Sequence, residues 1–252
     1  MPLLSPHVTG LLKLLCDSVL RPFGLQLRRR FGQVDRLDVF FDNWRRLGPT
    51  PKFIIDIGAN RGEWTRKSLL FFPDAKYVLI EPQNELRQYC NDILQLPQVH
   101  WLNAGASDRV GTMALTLTGA DCSATFGMSE EAATAKGLQQ VHVPVTTLDE
   151  VCAREKAFPD LVKIDAEGLD LDVLRGGVTL FGKTGVFLVE CSVCARSLPN
   201  TLERVCDFMG SHKYRLFDIT HLNVGPRNRL LWLVEAVFVH ESSPAWDRLG
   251  TY

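Results

Sequence analysis

The run FIIDIGANRG at residues 53–62 decides the fold. It opens as a short apolar strand, turns at Gly58, and leads into GEWTRKSLLFF (62–72), which reads as a helix. The same texture recurs downstream. YVLIEP (77–82) is a second strand, closed by Pro82 and followed by the helix NELRQYCNDIL; VHWLNAGAS (99–107) is a third strand with its loop. LVKIDAEG (161–168) is a buried strand, and the helix LDLDVLRGG after it ends at Gly176 and Gly177. VFLVEC (186–191), YRLFDI (214–219) and LLWLVEAVFVH (230–240) complete the strands, while MALTLTG and VHVPVTTL look like an antiparallel pair. Strand–helix alternation of this kind predicts an α/β, doubly wound fold: a mostly parallel sheet covered on both faces, antiparallel towards the C-terminus.

Upstream, Gly48-Pro49-Thr50-Pro51 punctuates the chain. A helical pattern over 34–47 precedes it, and VTGLLKLLCDSVL (8–20) places Leu11, Leu12, Leu15 and Val19 on one face before Pro22 and Arg28, Arg29 and Arg30. The expected organisation is an N-terminal helical extension over 1–50 and one large domain over 51–252. The extension reads as a cap on the core edge or as a basic amphipathic segment in peripheral contact with a membrane. Lys13 and Asp17 interrupt its apolar run, so neither a signal peptide nor a membrane span is expected, and the cytoplasm is the expected location.

The composition is that of a soluble globular protein, 46% hydrophobic and 23% charged over 252 residues. A formal net charge of −1 supplies no global field for nucleic acid, which is not expected as a partner. Seven cysteines without a paired framework fit a reducing compartment. The C-x-x-C of Cys191 and Cys194 lacks a second pair, so free thiols are expected there rather than zinc.

Ligands of open α/β sheets bind beyond the carboxyl ends of the strands. In the first such loop, Gly58 and Gly62 allow close approach of a ligand, with Ala59 and Asn60 between them. A dinucleotide site would put pyrophosphate here on a G-x-G-x-x-G loop, and Asp56 would repel it. A sulfonium and an ammonium suit that acid, which points to S-adenosylmethionine and away from a nicotinamide oxidoreductase. Glu81, beside Pro82 at the end of the second strand, is placed to accept ribose hydroxyls. Ser107 and Asp108 close the third strand, where a carboxylate suits the adenine amino group.

The strings FIIDIGANRGEWT, LIEP, LNAGASDRVG, VPVTTLDEV, LVKIDAEGLDLDVLRGG and VFLVE resemble, in this order over about residues 53–191, the FkbM family of methyltransferases. The resemblance implies a Rossmann-like class I methyltransferase sheet of seven strands and O-methylation of polyketide, sugar or related hydroxyls. It also implies cofactor roles for Asp56, Gly58, Asn60, Gly62, Glu81, Ser107 and Asp108. Where the family carries a second glutamate after its E-G pair, this chain has Asp170.

Methyl transfer from a sulfonium needs an oriented acceptor and a base for its proton. Lys163, Asp165 and Glu167 cluster at the end of the LVKIDAEG strand, where either acid is placed to take a hydroxyl proton and Lys163 to steady the carboxylates. Glu190 ends the next strand and is a candidate for the acceptor pocket; His212 and His221 are alternative bases. No metal is expected, since no Asp-Asn pair follows at a convincing spacing. Phe217, Asp218, His221, Asn223, Asn228 and Trp232 mix aromatic and polar groups as a sugar site does, so the expected acceptor is a hydroxyl on a sugar or glycan. A polyketide or other small-molecule alcohol is the alternative, and a non-catalytic cofactor-binding protein the reading from a different class.

Overall fold

A computed structural model describes residues 35–119, 124–195, 198–225 and 229–250. The amphipathic segment over 8–20 and the arginines at 28–30 lie outside the described residues, as does Asn228. Arg36–Tyr252 forms one compact unit.

Its first helix, α1 (Arg36–Leu47), buries Leu37, Phe40, Phe41 and Trp44. That spacing is one helical stripe. The stripe packs against Phe71, Phe72 and Phe217, beside buried sheet residues such as Ile54, Leu188 and Val237. α1 thus belongs, with the sheet, to the compact unit that begins at Arg36.

The strands are β1 (Phe53–Ile57), β2 (Lys76–Ile80), β3 (Val99–Leu102), β4 (Gly105–Ala106), β5 (Gly111–Leu117), β6 (Ala124–Thr125), β7 (Gln139–Thr146), β8 (Leu161–Ile164), β9 (Val186–Ser192), β10 (Tyr214–Val224) and β11 (Leu231–His240). Seven of them form the main sheet, in the order β10-β11-β9-β8-β1-β2-β3. Pairings from β9 to β3 are parallel, and β11 runs antiparallel to both β9 and β10. This is the doubly wound, mostly parallel seven-stranded sheet with antiparallel strands near the C-terminus that the sequence predicts. β1 and β8 are buried throughout, as expected for central parallel strands.

The remaining four strands make a second sheet, β4-β7-β5-β6, in which β5 and β7 pair antiparallel as expected. It has a small apolar cluster of its own around Leu115, Ala124 and Val143. NELRQYCNDIL does not form the expected α-helix but two 3₁₀ turns, Asn84–Cys90 and Ile93–Gln95. Arg66 supplies the reason: its guanidinium takes the Tyr89 carbonyl at 2.5 Å and the Asp92 carboxylate at 2.6 Å, so the carbonyl bonds across the chain rather than along a helix.

Candidate functional site

At the carboxyl end of β1 the backbone turns at Gly58 (φ 68°) and Asn60 (φ 46°). A Cβ on Gly58 would lie 1.9 Å from the Asp165 carbonyl oxygen, so glycine is needed for conformation and for contact. The Gly58 and Ala59 amides both donate to the Ile80 carbonyl, at 2.9 and 3.2 Å, which pins the loop to the end of β2.

Glu81 follows directly and is buried. One carboxylate oxygen accepts the Asn60 amide and the other the Gln83 amide, both at 2.9 Å. Burial raises its proton affinity above the ordinary carboxylate value, and the two amide bonds oppose that rise. The Asn103 side-chain amide donates to the Glu81 and Pro82 carbonyls at 3.0 and 2.9 Å, fixing the turn.

These groups form one side of a cleft enclosing about 510 Å³, part of it open to solvent. Asn60, Glu81, Pro82 and Gln83 line one side, and Asp165, Ala166 and Glu167 another. The second sheet closes it with an apolar wall of Leu115, Ala124 and Phe126 above Gly105 and Ala106. Gly105 makes room for that wall, since a Cβ there would lie 2.7 Å from the Phe126 ring.

Of the residues singled out from sequence, Gly58, Asn60, Glu81, Pro82, Asp165 and Glu167 meet in this cleft. Asp56 is placed elsewhere. It is wholly buried behind the loop, where Thr65 donates to it at 2.6 Å and the Lys163 ammonium lies at 3.5 Å. Burial raises its proton affinity, while Lys163 and Thr65 lower it. Lys163 also donates to the Ile57 and Gly58 carbonyls at 3.1 and 3.0 Å and to Asp165 at 3.3 Å. Desolvation opposes its charge, but Asp165 and Asp56 outweigh that and hold it protonated. Asp56 and Lys163 thus brace the loop from behind.

Ala59 is buried beside the loop, and Gly62 (φ 76°) packs on Cys90 and Ile93. Ser107 is buried with its carbonyl against Gly176; the Asp108 side chain points outward to Arg109. None of these four lines the cleft.

Glu167 stands in the left-handed region (φ 51°) ahead of Gly168 (φ 102°), and its carbonyl accepts the Thr125 hydroxyl at 3.2 Å. Burial raises its pKa to about 7, assisted by the charges of Asp165 and Asp170. On the neighbouring strands, burial pushes Glu190 up to about 9, with Asp165 adding to it, and Glu235 up to about 7. Glu190 and Glu235 are register partners on β9 and β11, and Thr220 donates to Glu235. Glu235 was missed from sequence, although a lone carboxylate inside the apolar LLWLVEAVFVH is a visible signal.

The other candidates lie apart. Phe217 packs into α1 and Trp246, and Asp218 is paired with Arg36 at 2.5 Å. His212 stacks on Phe181 with ring centroids 4.0 Å apart. Cys191 is buried and Cys194 exposed, both as free thiols. Among the described residues no three His, Cys, Asp or Glu side chains converge to hold a metal ion, and no helix is long and apolar enough to cross a membrane.

This strand order, with a glycine turn after β1 and an acid at the end of β2, is that of the class I methyltransferase fold. The sequence matches the methyltransferase FkbM domain over residues 56–216, and the chain belongs to that family. It is an S-adenosylmethionine-dependent methyltransferase. Among solved structures it is similar to a precorrin-6y C5,15-methyltransferase from Geobacter metallireducens, at 11% identity and a TM-score of 0.46, over 85% of this chain and 92% of that one. It is also similar to the 1,6-didemethyltoxoflavin-N1-methyltransferase from Burkholderia thailandensis, solved with 1,6-didemethyltoxoflavin and S-adenosylhomocysteine. That likeness is at 13% identity and a TM-score of 0.43, over 96% of this chain and 93% of that one. No curated protein matches the sequence.

Proposed function

We propose that the chain methylates a hydroxyl group, with the Asp165–Glu167 turn at the acceptor side of the cleft. The observation that supports this most is the placement of Asp165 and Glu167 in the same cleft as Glu81. When bound, the cofactor supplies an electrophilic methyl group on a sulfonium. The residues fit it. Glu81 keeps carboxylate lone pairs for the ribose diol beside its two amide bonds, and the apolar wall of Ile57, Ile80 and Ala106 suits a heterocycle. Gly58 and Asn60 bring backbone close to the ligand, and the acids across the cleft favour a cation.

Glu167 does the proton work. With a pKa of about 7 it is ionised in part at neutral pH and accepts a hydroxyl proton as the oxygen attacks. Asp165, held by Lys163 at 3.3 Å, is oriented and stays beside the reacting atoms. Glu167→Gln is expected to lower turnover by about 10²–10⁴ while affinity for the uncharged product S-adenosylhomocysteine stays within a few-fold. Full activity of both Glu167→Gln and Asp165→Asn would sink the assignment.

A sugar or glycan hydroxyl is the acceptor class proposed, with exposed His221 and Trp232 on the β10–β11 side contributing recognition. A small-molecule alcohol such as a polyketide is the second reading, favoured by the apolar wall of Leu115, Ala124 and Phe126. A panel of saccharides, phenols and polyketide alcohols separates the two. The basic amphipathic segment before residue 31 is proposed to bring the enzyme to anionic membranes. Deleting residues 1–30 should then abolish sedimentation with anionic vesicles and spare cofactor binding.

A further inference from the structure

The turn bearing Asp165 and Glu167 is an awkward piece of backbone. Two consecutive residues, Glu167 and Gly168, hold positive φ, and such a conformation persists only when its surroundings fix it. Asp170 supplies the fixation. It is wholly buried, and its Oδ1 accepts the Ala166 amide at 2.9 Å, closing the turn from inside. Its Oδ2 accepts the side-chain amide of Asn200 at 2.8 Å. Asn200 is buried as well and is tied to the end of β9: its carbonyl accepts the Ser192 amide at 2.9 Å, and its Oδ1 accepts the Ser192 hydroxyl at 3.4 Å. The chain of bonds runs from the Asp165–Glu167 turn, through Asp170 and Asn200, to the residue two positions after Glu190.

We infer that Asp170 and Asn200 are a positioning pair that fixes how the Asp165–Glu167 turn faces the reacting end of the cofactor and its spacing from Glu190. Neither side chain lines the cleft, so they act through the turn. The inference rests on the reading that these carboxylates work beside the reacting methyl. Asp170 is one carbon shorter than the glutamate of the family pattern, and here it reaches both the Ala166 amide and Asn200.

The test exchanges the two groups. Asp170→Asn sets two amide NH₂ groups face to face, and Asn200→Asp sets two carboxylates together; the double exchange restores one donor opposite one acceptor. The readout is the ratio of dissociation constants for S-adenosylmethionine and S-adenosylhomocysteine, measured by calorimetry. The two ligands differ by a methyl group and a positive charge, so the ratio reports where the turn's carboxylates point, and a general loss of stability leaves it unmoved. Each single exchange is expected to shift the ratio about tenfold against the cation, and the double to return it within about threefold of the parent. Should Asp170→Asn fail to fold, Asn200→Ser removes the bond more gently and is expected to shift the ratio in the same direction. Lowered melting temperatures with an unchanged ratio would overturn the inference, as would a double exchange worse than either single. Failure of the underlying reading looks different: Asp165→Asn and Glu167→Gln in the parent would themselves leave the ratio unchanged.

Discussion

Lys163 and Asp56 are register partners on adjacent parallel strands, and the ammonium of one lies 3.5 Å from the buried carboxylate of the other. The same ammonium donates to Gly58 and Asp165, so one side chain joins the proposed cofactor loop to the proposed catalytic turn. Lys163→Met strands the Asp56 charge without its partner. The expected loss is about 3–5 kcal/mol in a denaturant titration, the cost of breaking a buried pair from one side. Adding Asp56→Asn should recover part of it, and equal losses in single and double variants would show that the pair contributes nothing.

Glu81→Ala removes the proposed ribose acceptor and also leaves the Asn60 and Gln83 amides without theirs. Cofactor binding should weaken by about 1.5–3 kcal/mol, as for charge-assisted bonds. Glu81→Gln keeps one carbonyl acceptor and should lose less. Calorimetry with S-adenosylhomocysteine measures both, and unaltered binding by Glu81→Ala would place the ribose elsewhere.

The buried acids set a pH dependence. Glu167, Asp170 and Glu235 sit at about 7 and Glu190 at about 9, against ordinary values of 4.5 and 3.8. Between the ordinary and the raised values the folded chain holds more protons than the unfolded one. Stability of the cofactor-free protein is therefore expected to fall as pH rises from about 5 to about 9. Over the same window the ionising carboxylates should increase the preference for the sulfonium over S-adenosylhomocysteine. Melting curves and calorimetry at both ends check this, and a flat profile would contradict the burial of these groups.

Gly58→Ala meets two penalties, a positive φ and a backbone oxygen at 1.9 Å, whereas Gly137→Ala meets positive φ with open space. The second should cost about 1–2 kcal/mol from conformation alone, and the first distinctly more. Chemical denaturation of the pair separates strain from contact.

The strands themselves and the ends of β1, β2 and β8 were legible in the sequence because each is a local pattern: an apolar run stopped by glycine, proline or an acid. The roles of the acids were less so. Asp56 reads as a ligand group because it ends a strand, but it sits one residue inside β1, and side-chain alternation turns it to the face where Lys163 lies. Ser107 and Asp108 read as a loop over the cleft, yet the approach of Gly176 holds that backbone elsewhere. Phe126 and Leu115 gave no signal at all, since they reach the cleft through the pairing of a second sheet, which depends on contacts distant in sequence.

That second sheet enters the chain between β3 and β8, with a small apolar cluster of its own and Leu115, Ala124 and the adjoining Phe126 turned to the cleft. The consequence is evolutionary. Substitutions at Leu115, Ala124 and Phe126 alter the wall of the cleft without touching β1, β2 or β8, so that wall can vary in a lineage while the loop and the acids at the ends of those strands are inherited unchanged.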